Sequence, residues 1–209
     1  GFSCFGSPSE ILDDIKRMGE DAALSLVRKR WQGLQHLQNR LQGSKAQYEN
    51  FGGCELYNDQ DYEVIHDQLD HLNTLMVEAT GHHKVFRTGE VPTGINGFSK
   101  AIHNPLEGQL HPGFMMEHLK EKFLSLGGLM WTGLLIDQIE EADDIVLLRS
   151  KFAFPVEARH VVVTTNAYAT SLLPDLDVHA ARNHVLVTDP IPGLSWKGCF
   201  HYDKGFYYF

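Results

Sequence analysis

The residues that could carry chemistry form no complete catalytic or metal motif. Twelve histidines suggest a metal centre, but ligands must converge at short spacing, and His82-His83 or His66 with Asp70 supply at most two groups each. The Gly-x-Ser-x-Gly elbow of serine hydrolases, the phosphate loop Gly-x-x-x-x-Gly-Lys-Ser/Thr and the dinucleotide turn Gly-x-Gly-x-x-Gly do not occur. Spacing alone therefore predicts only a soluble α+β domain with a buried sheet.

Charge and cysteine usage narrow the class of protein. The net charge of −9 repels phosphate backbones, and no basic block offsets it, so nucleic acid is not an expected partner. The longest apolar runs are far shorter than the roughly 20 residues that span a bilayer, so no membrane span is expected. Cys4, Cys54 and Cys199 are far apart and odd in number. This predicts neither a disulfide framework nor a zinc site, and it favours a reducing cytoplasm.

Helices are predicted in the first part of the chain. Ser7-Pro8-Ser9-Glu10 combines an N-cap serine, a proline at the first helical position and a glutamate three residues after the cap. Apolar residues then recur at helical spacing as far as Gly43, and Gly19 is a point where this long helix can bend. A further helix is predicted between Asn58, its cap, and Gly81.

Strands and a third helix are predicted from the remaining patterns. Val161, Val162 and Val163 form a continuous apolar run, typical of a strand covered on both faces in the centre of an α/β sheet. Residues 199–209 are predicted to form a hairpin around Asp203-Lys204-Gly205. A helix is predicted from Pro112 to about Leu126. The other predicted strands are 48–57 with a break at Gly52-Gly53, 85–86, 98–102, 129–132, 134–139, 145–148, 152–158, 160–165 and 185–188.

The order of several segments resembles one enzyme family. In sequence order they are 107–113 (EGQLHPG), a helix, Gly127-Gly128, 131–133 (WTG), Ile139-Glu140, 158–168 (ARHVVVTTNAY), Leu173-Pro174, 181–188 (ARNHVLVT) and 205–209 (GFYYF). This order resembles the FAD-dependent oxidoreductases of the D-amino-acid oxidase and glycine oxidase family. The Asn-Ala-Tyr triplet at residue 166 resembles the amine-oxidising branch similar to γ-glutamylputrescine oxidoreductase.

The resemblance implies a set of FAD-binding residues. Gly1 and Phe2 look like the end of a flavin-contacting loop, and the backbone of Ile136 is expected to contact the adenine. Thr164, Thr165 and Asn166 would end a buried strand at the edge where open α/β sheets bind dinucleotides. Without the resemblance, Asn166 is typical of a helix N-cap, and both roles can coexist.

The same resemblance implies which residues lie near the substrate and which family motifs are not found in these 209 residues. Tyr207, Tyr208 and His201 are expected near the substrate face of the flavin, with edge-strand packing as the alternative for the tyrosines. The family's glycine turn and acidic ribose ligand would precede Gly1, and its substrate-binding arginine would follow Phe209. His184 stands where many relatives have glutamine.

A mixed-sheet fragment of a FAD-binding domain plus a substrate domain, with a long N-terminal helix, is therefore expected. Its expected parts are 1–45 (loop remnant and long helix), 46–105 (substrate domain), 106–180 (later strands of the FAD-binding domain) and 181–209 (truncated substrate-domain strands). The parent enzyme would oxidise the C–N bond of an amine or amino acid by hydride transfer to FAD, whereas this piece alone would bind FAD poorly or not at all. A non-enzymatic α+β interaction module, docking through the long helix and the aromatic hairpin, is the alternative.

Overall fold

A computed structural model describes residues 1–46 and 48–209 of the chain. The chain folds into two compact units: unit 1 comprises Gly1–Leu126 and Leu194–Phe209, and unit 2 comprises Gly127–Gly193. Helices are combined with mixed sheets, which confirms the mixed α/β class expected from the sequence. Within the described residues, the α-helices are α1 (Pro8–Met18), α2 (Glu20–Leu41), α3 (Asp59–His66), α4 (Leu69–Thr80) and α5 (Pro112–Ser125). The strands found there are β1 (Phe2–Ser3), β2 (Gly53–Tyr57), β3 (Arg87–Gly89), β4 (Lys100–Asn104), β5 (Gly108–Gln109), β6 (Gln138–Ala142), β7 (Ile145–Ser150), β8 (Ala153–Ala158), β9 (Cys199–Tyr202) and β10 (Tyr207–Tyr208).

The helix ends follow the capping signals of the sequence. The Ser7 side chain accepts a hydrogen bond from the Glu10 backbone N–H, and the Glu10 carboxylate accepts one from the Ser7 N–H at 2.9 Å, so the predicted capping box is present. Gly19 separates α1 from α2 because it adopts a φ of +85°, a left-handed conformation that a helix cannot contain. The single long helix expected from the sequence is therefore two helices.

The helical region after Asn58 is also divided. Asn58 caps α3 by accepting a hydrogen bond from the Asp61 N–H at 2.8 Å, and Gly81 ends α4 in the left-handed conformation, as predicted. A turn at Asp67-Gln68 separates the two helices, so the continuous helix predicted here is wrong. Between α4 and β3, Val85 and Phe86 are core residues that form no strand, and the strand lies just after them.

The main sheet of unit 1 has the strand order β10-β9-β2-β4-β3, with β2 and β9 parallel and the other pairs antiparallel. One face packs against the helices and buries Ile11, Trp31, Leu72, Met76 and Ile102; we call it the helix-covered face. Complete burial of side chains of this size contributes roughly 1.5–3 kcal/mol each. The opposite face, which we call the aromatic face, consists of Cys54, Leu56, Ala101 and Phe200 together with Phe98, Trp196, Tyr202 and Phe209.

Unit 2 contains the antiparallel sheet β6-β7-β8 and a short 3-10 helix, Asn166–Ser171. The hairpin between β6 and β7 turns at the acidic pair predicted from the sequence, Asp143-Asp144. Every residue of this unit is described, and Ala169 is the one that is buried.

The central strand predicted at Val161–Val163 is wrong. These residues form no strand, and the Val162 side chain is 82% exposed. A two-sided strand requires hydrogen-bonded neighbours at both edges and layers on both faces, and no described strand pairs with this run. No strand forms at 129–132 or at 185–188 either, so these two predictions are also wrong. Among the described residues, no helix combines the length and the apolar character needed to cross a bilayer.

Candidate functional site

The first residues of unit 1 are held beside a polar, buried part of the sheet. β1 pairs antiparallel with β5, so that Phe2 lies opposite Gln109 and Ser3 opposite Gly108. The Gly1 amino group donates to the Leu110 carbonyl at 2.6 Å, and the Leu110 N–H donates to the Gly1 carbonyl at 2.9 Å. Gly1 and Phe2, two residues expected to contact flavin, are thus fixed by backbone hydrogen bonds.

A buried carboxyl group anchors the segment that follows. Glu107 is 2% exposed and accepts hydrogen bonds from the backbone N–H groups of Phe5, at 3.0 Å, and Gly6. Burial raises the pKa of Glu107 to about 8, because removal from water disfavours the charged form more than the two N–H groups favour it. A Cβ on Gly53 would lie 2.1 Å from the Glu107 Oε2 atom and 2.9 Å from the Phe2 ring, so only glycine allows this close approach.

His201 lies beside the Phe2 ring on the helix-covered face. Its ring is 4% exposed, lies 5.7 Å from the Phe2 ring, and has an Nδ1 atom without a hydrogen-bond partner among the described residues. Burial lowers the pKa of His201, although the charges of Glu55 and Glu10 act in the opposite direction. The imidazole is therefore held in its neutral form, which can accept or donate a proton at a ring nitrogen.

Glu55 is a second buried acid on this face. It is 2% exposed and accepts hydrogen bonds from the Ser9 and Tyr57 hydroxyl groups and, at 3.2 Å, from the Ser9 N–H. Its carboxylate is thus fully engaged within the protein. The arrangement holds this carboxyl group near His201 without exposing it to solvent.

The terminal hairpin presents its two tyrosines to opposite faces of the sheet. Tyr207 pairs with Tyr202 and stacks on its ring at 4.6 Å between centroids, on the aromatic face. Tyr208 pairs with His201, on the helix-covered face. Successive residues of a strand alternate in direction, so the two tyrosines cannot line one pocket.

Two of the three thiols are unsuited to nucleophilic or metal chemistry. Burial raises the pKa of Cys54 to about 12 and that of Cys199 to about 11, so both remain protonated at neutral pH, whereas Cys4 is exposed. Within residues 1–46 and 48–209, no group of three or more histidine, cysteine or acidic side chains could hold a metal ion.

Unit 2 holds the other residues expected to bind FAD. Ile136 is half-buried and precedes β6, so the strand expected at 134–137 begins later, at Gln138. Thr164 and Thr165 are exposed, and Asn166 is the first residue of the 3-10 helix. Thr165 occupies the cap position without a side-chain hydrogen bond, so the N-cap predicted at Asn166 is wrong.

The backbone at this point has the geometry of an anion site. Thr165 adopts φ −85° and ψ 11°, and Asn166 follows with a φ of +50°. A negative φ followed by a positive φ is a succession in which consecutive N–H groups can form a nest for an anion. The glycine turn of dinucleotide-binding proteins does not occur in the 209 residues.

The structure thus brings only some of the predicted residues together. Phe2 and His201 are in contact in unit 1, whereas Ile136 and the segment from Thr164 to Asn166 belong to unit 2. Sequence reasoning gave no role to Glu55 or Glu107. Glu55 could have been recognised from its position, because it is the only charged residue of its strand. A buried acid is unusual in a strand unless its carboxyl group is hydrogen-bonded.

The chain was compared with protein families, curated proteins and solved structures. The family model described as DAO, FAD dependent oxidoreductase, matches residues 8–209. The search of curated proteins returned no match. Several solved structures share the fold at low sequence identity, and three of them are described next.

Glycine oxidase from Geobacillus kaustophilus is 17% identical with a TM-score of 0.50, and the match covers 73% of this chain and 41% of that one. Iminodiacetate oxidase from Chelativorans sp. BNC1 is 16% identical with a TM-score of 0.54 over 72% and 42% of the two chains. L-amino acid deaminase from Proteus vulgaris is 14% identical with a TM-score of 0.56 over 86% and 40%. The chain thus matches about two fifths of the length of each of these proteins.

Proposed function

The chain belongs to the DAO family of FAD dependent oxidoreductases, and from that premise we propose that the protein carrying these residues oxidises the C–N bond of an amine or amino acid. The family match over residues 8–209 is the observation that carries the proposal. The named activities of the structural neighbours, an oxidase of glycine, an oxidase of iminodiacetate and a deaminase of amino acids, support a substrate that contains nitrogen.

FAD is the cofactor that the family uses, and when bound it supplies the acceptor for the hydride removed from the substrate. We assign the backbone N–H groups of Thr165 and Asn166 to one phosphate, with Thr164 beside them. The backbone of Gly1 and Phe2 remains the proposed flavin contact of unit 1, because the Phe2 ring itself lies against His201 on the helix-covered face. Ile136 remains the proposed adenine contact. Without a glycine turn among the 209 residues, we expect the chain alone to bind FAD weakly and to purify colourless.

The substrate is assigned to the side of Tyr207. Tyr207 lies on the aromatic face, 55% exposed, and its stacking on Tyr202 fixes the ring in one orientation. A fixed aromatic ring restricts the pose of a bound amine, and hydride transfer requires such a near-attack orientation. Tyr208 and His201 occupy the other face, where we assign them to the support of β9 and β10.

Two finer assignments complete the proposal. The triplet Asn166-Ala167-Tyr168 resembles the amine-oxidising branch similar to γ-glutamylputrescine oxidoreductase, which favours an amine within the proposed class of amines and amino acids. The three cysteines are free thiols, which supports a reducing compartment such as the cytoplasm.

Anaerobic reduction of the flavin tests the function. The protein that carries these residues is loaded with FAD and mixed without oxygen with primary amines, amino acids and matched hydroxy acids that lack the nitrogen. We expect an amine or amino acid to bleach the visible flavin absorbance and the hydroxy acids to leave it unchanged. Bleaching by the hydroxy acids alone, or by none of the nitrogen compounds, overturns the proposal.

A further inference from the structure

A cavity of about 310 Å³ opens on the aromatic face of unit 1. It lies wholly within this unit, between the start of β2, the segment before β9 and the loop that follows β3. Its lining residues include Cys54, Thr93, His103, Trp196, Lys197 and Phe200. None of them has a role in the flavin chemistry proposed above.

Phe51 and Gly52, which line the cavity, are held in place by a close approach of Gly198, which does not line it. A Cβ on Gly198 would lie 2.8 Å from the Gly52 carbonyl oxygen and 3.0 Å from that of Phe51, so a side chain there would displace this backbone. Gly198 and Gly52 also adopt φ values of +91° and +86°, which favour glycine. The two glycines therefore fix the backbone of this part of the cavity lining.

The opposite wall is aromatic and held in place. The Trp196 indole N–H donates to the Thr93 carbonyl at 2.9 Å. Its ring lies 6.2 Å from the Phe200 ring at an interplanar angle of 63°, and Phe200 in turn stacks on Phe209 at 5.5 Å. An indole fixed at its N–H and supported by two further rings offers a preformed surface for another ring.

The charge of the cavity is opposite to that of the protein. The chain has a net charge of −9, yet the lining contains no aspartate or glutamate and has one lysine, Lys197, whose Nζ lies 5.0 Å from the Phe51 ring centroid. The Cys54 Sγ is 4.0 Å from the His103 Nε2. Because burial raises the pKa of Cys54 to about 12, its thiol adds no negative charge.

From this combination we propose that the cavity binds a small aromatic carboxylate, with its ring against Trp196 and Phe200 and its carboxylate toward Lys197. The volume is at the lower end of the range for small-molecule sites, which restricts the ligand to a single ring with a short acidic arm. The proposal is independent of the flavin chemistry, because no residue of unit 2 and no assigned flavin contact lines the cavity.

An NMR titration tests this site with phenylacetate as the probe. The indole N–H signal of Trp196, assigned by its loss in Trp196→Phe, is followed in the 209-residue chain. Benzylamine, which has the same ring and methylene but a positive charge, is the matched ligand. We expect phenylacetate to shift the signal with a Kd of about 1 mM and benzylamine to bind at least about tenfold more weakly.

Variants separate the site from nonspecific binding. Lys197→Gln should weaken phenylacetate binding about fivefold, since Lys197 is exposed and its ion pair is partly screened. Lys120→Gln, an exposed lysine on α5, should leave the Kd unchanged. Equal Kd values for phenylacetate and benzylamine, an unaltered Kd in Lys197→Gln, or no shift of the Trp196 signal overturns the proposal. Failure of the amine to bleach the flavin would not affect this result, so the two proposals can fail separately.

Discussion

Units 1 and 2 bury very different amounts of apolar surface. Unit 1 buries Phe5, Leu72 and Met76 completely. In unit 2, where every residue is described, Ala169 is the only buried residue and Phe154 is 93% exposed. The strands of unit 2 are paired by backbone hydrogen bonds, but none of their residues is buried. A small antiparallel sheet without a buried face is marginally stable in water. Regular secondary structure in this chain is thus not evidence of a core.

Truncations of large side chains in the two units should have the most unequal effects. Met76→Ala should lower the free energy of unfolding by about 2–5 kcal/mol, because it leaves a cavity in a fully buried cluster. Val162→Ala should change it by less than about 0.5 kcal/mol, because Val162 is 82% exposed. Urea unfolding curves of the two variants measure both values. A loss of similar size in Val162→Ala would mean that Val162 is buried and that the contrast between the units is wrong.

The two units also differ in how a carboxyl group should make the free energy of unfolding depend on pH. Glu107 has a pKa raised from 4.5 to about 8, so the folded state binds its proton more tightly than the unfolded state. Its contribution to stability should therefore be greatest below about pH 4.5 and should be lost as the pH rises to about 8, by on the order of 2–4 kcal/mol. Glu107→Gln should flatten this part of the profile.

Glu157, exposed on β8 of unit 2, provides the control for this experiment. Glu157→Gln should leave the dependence of unfolding free energy on pH the same as in the unaltered chain between pH 4.5 and 8. Urea unfolding at several pH values measures all three proteins. An unchanged profile in Glu107→Gln would show that the Glu107 carboxyl ionises normally despite its burial.

Helix caps provide a smaller test of the same contrast. Ser7→Ala removes the side chain that accepts the Glu10 N–H and should cost about 1 kcal/mol of unfolding free energy. Thr165→Ala should cost less than about 0.5 kcal/mol, because the Thr165 side chain makes no cap hydrogen bond. Thermal unfolding followed by circular dichroism measures both, and an equal loss in the two variants would contradict the assignment of Ser7 as the stabilising cap.

The sequence was informative where the signal is local. The caps at Ser7, Asn58 and Gly81 depend on hydrogen bonds within a few residues, so the sequence alone predicted these helix ends. The strand predicted around Val162 depends on partners from elsewhere in a fold, and its β-branched residues indicate suitability for a strand without providing those partners.

The candidate site follows the same division between local and distant information. The hairpin around Asp203-Lys204-Gly205 is present as predicted. The pairing in the structure adds that Tyr207 and Tyr208 point to opposite faces of the sheet, because successive residues of a strand alternate in direction. Glu107 could not be recognised as a buried acid because its burial depends on Gly53, which is distant in sequence. The nest at Asn166 depends on a positive φ, which asparagine permits but does not require.

The central claim is our proposal that the backbone at Asn166 binds the flavin and that Tyr207 orients the substrate. It is tested most directly by measuring flavin content and the rate of anaerobic flavin reduction by an amine in variants of the protein that carries these residues. Asn166→Pro, which excludes a positive φ and removes the N–H, should lower flavin content at least about tenfold, whereas Asn166→Gly should retain it. Tyr207→Ala should retain flavin and slow its reduction about tenfold or more, with a smaller effect from Tyr208→Ala. Full flavin content in Asn166→Pro together with unchanged reduction in Tyr207→Ala would contradict the account.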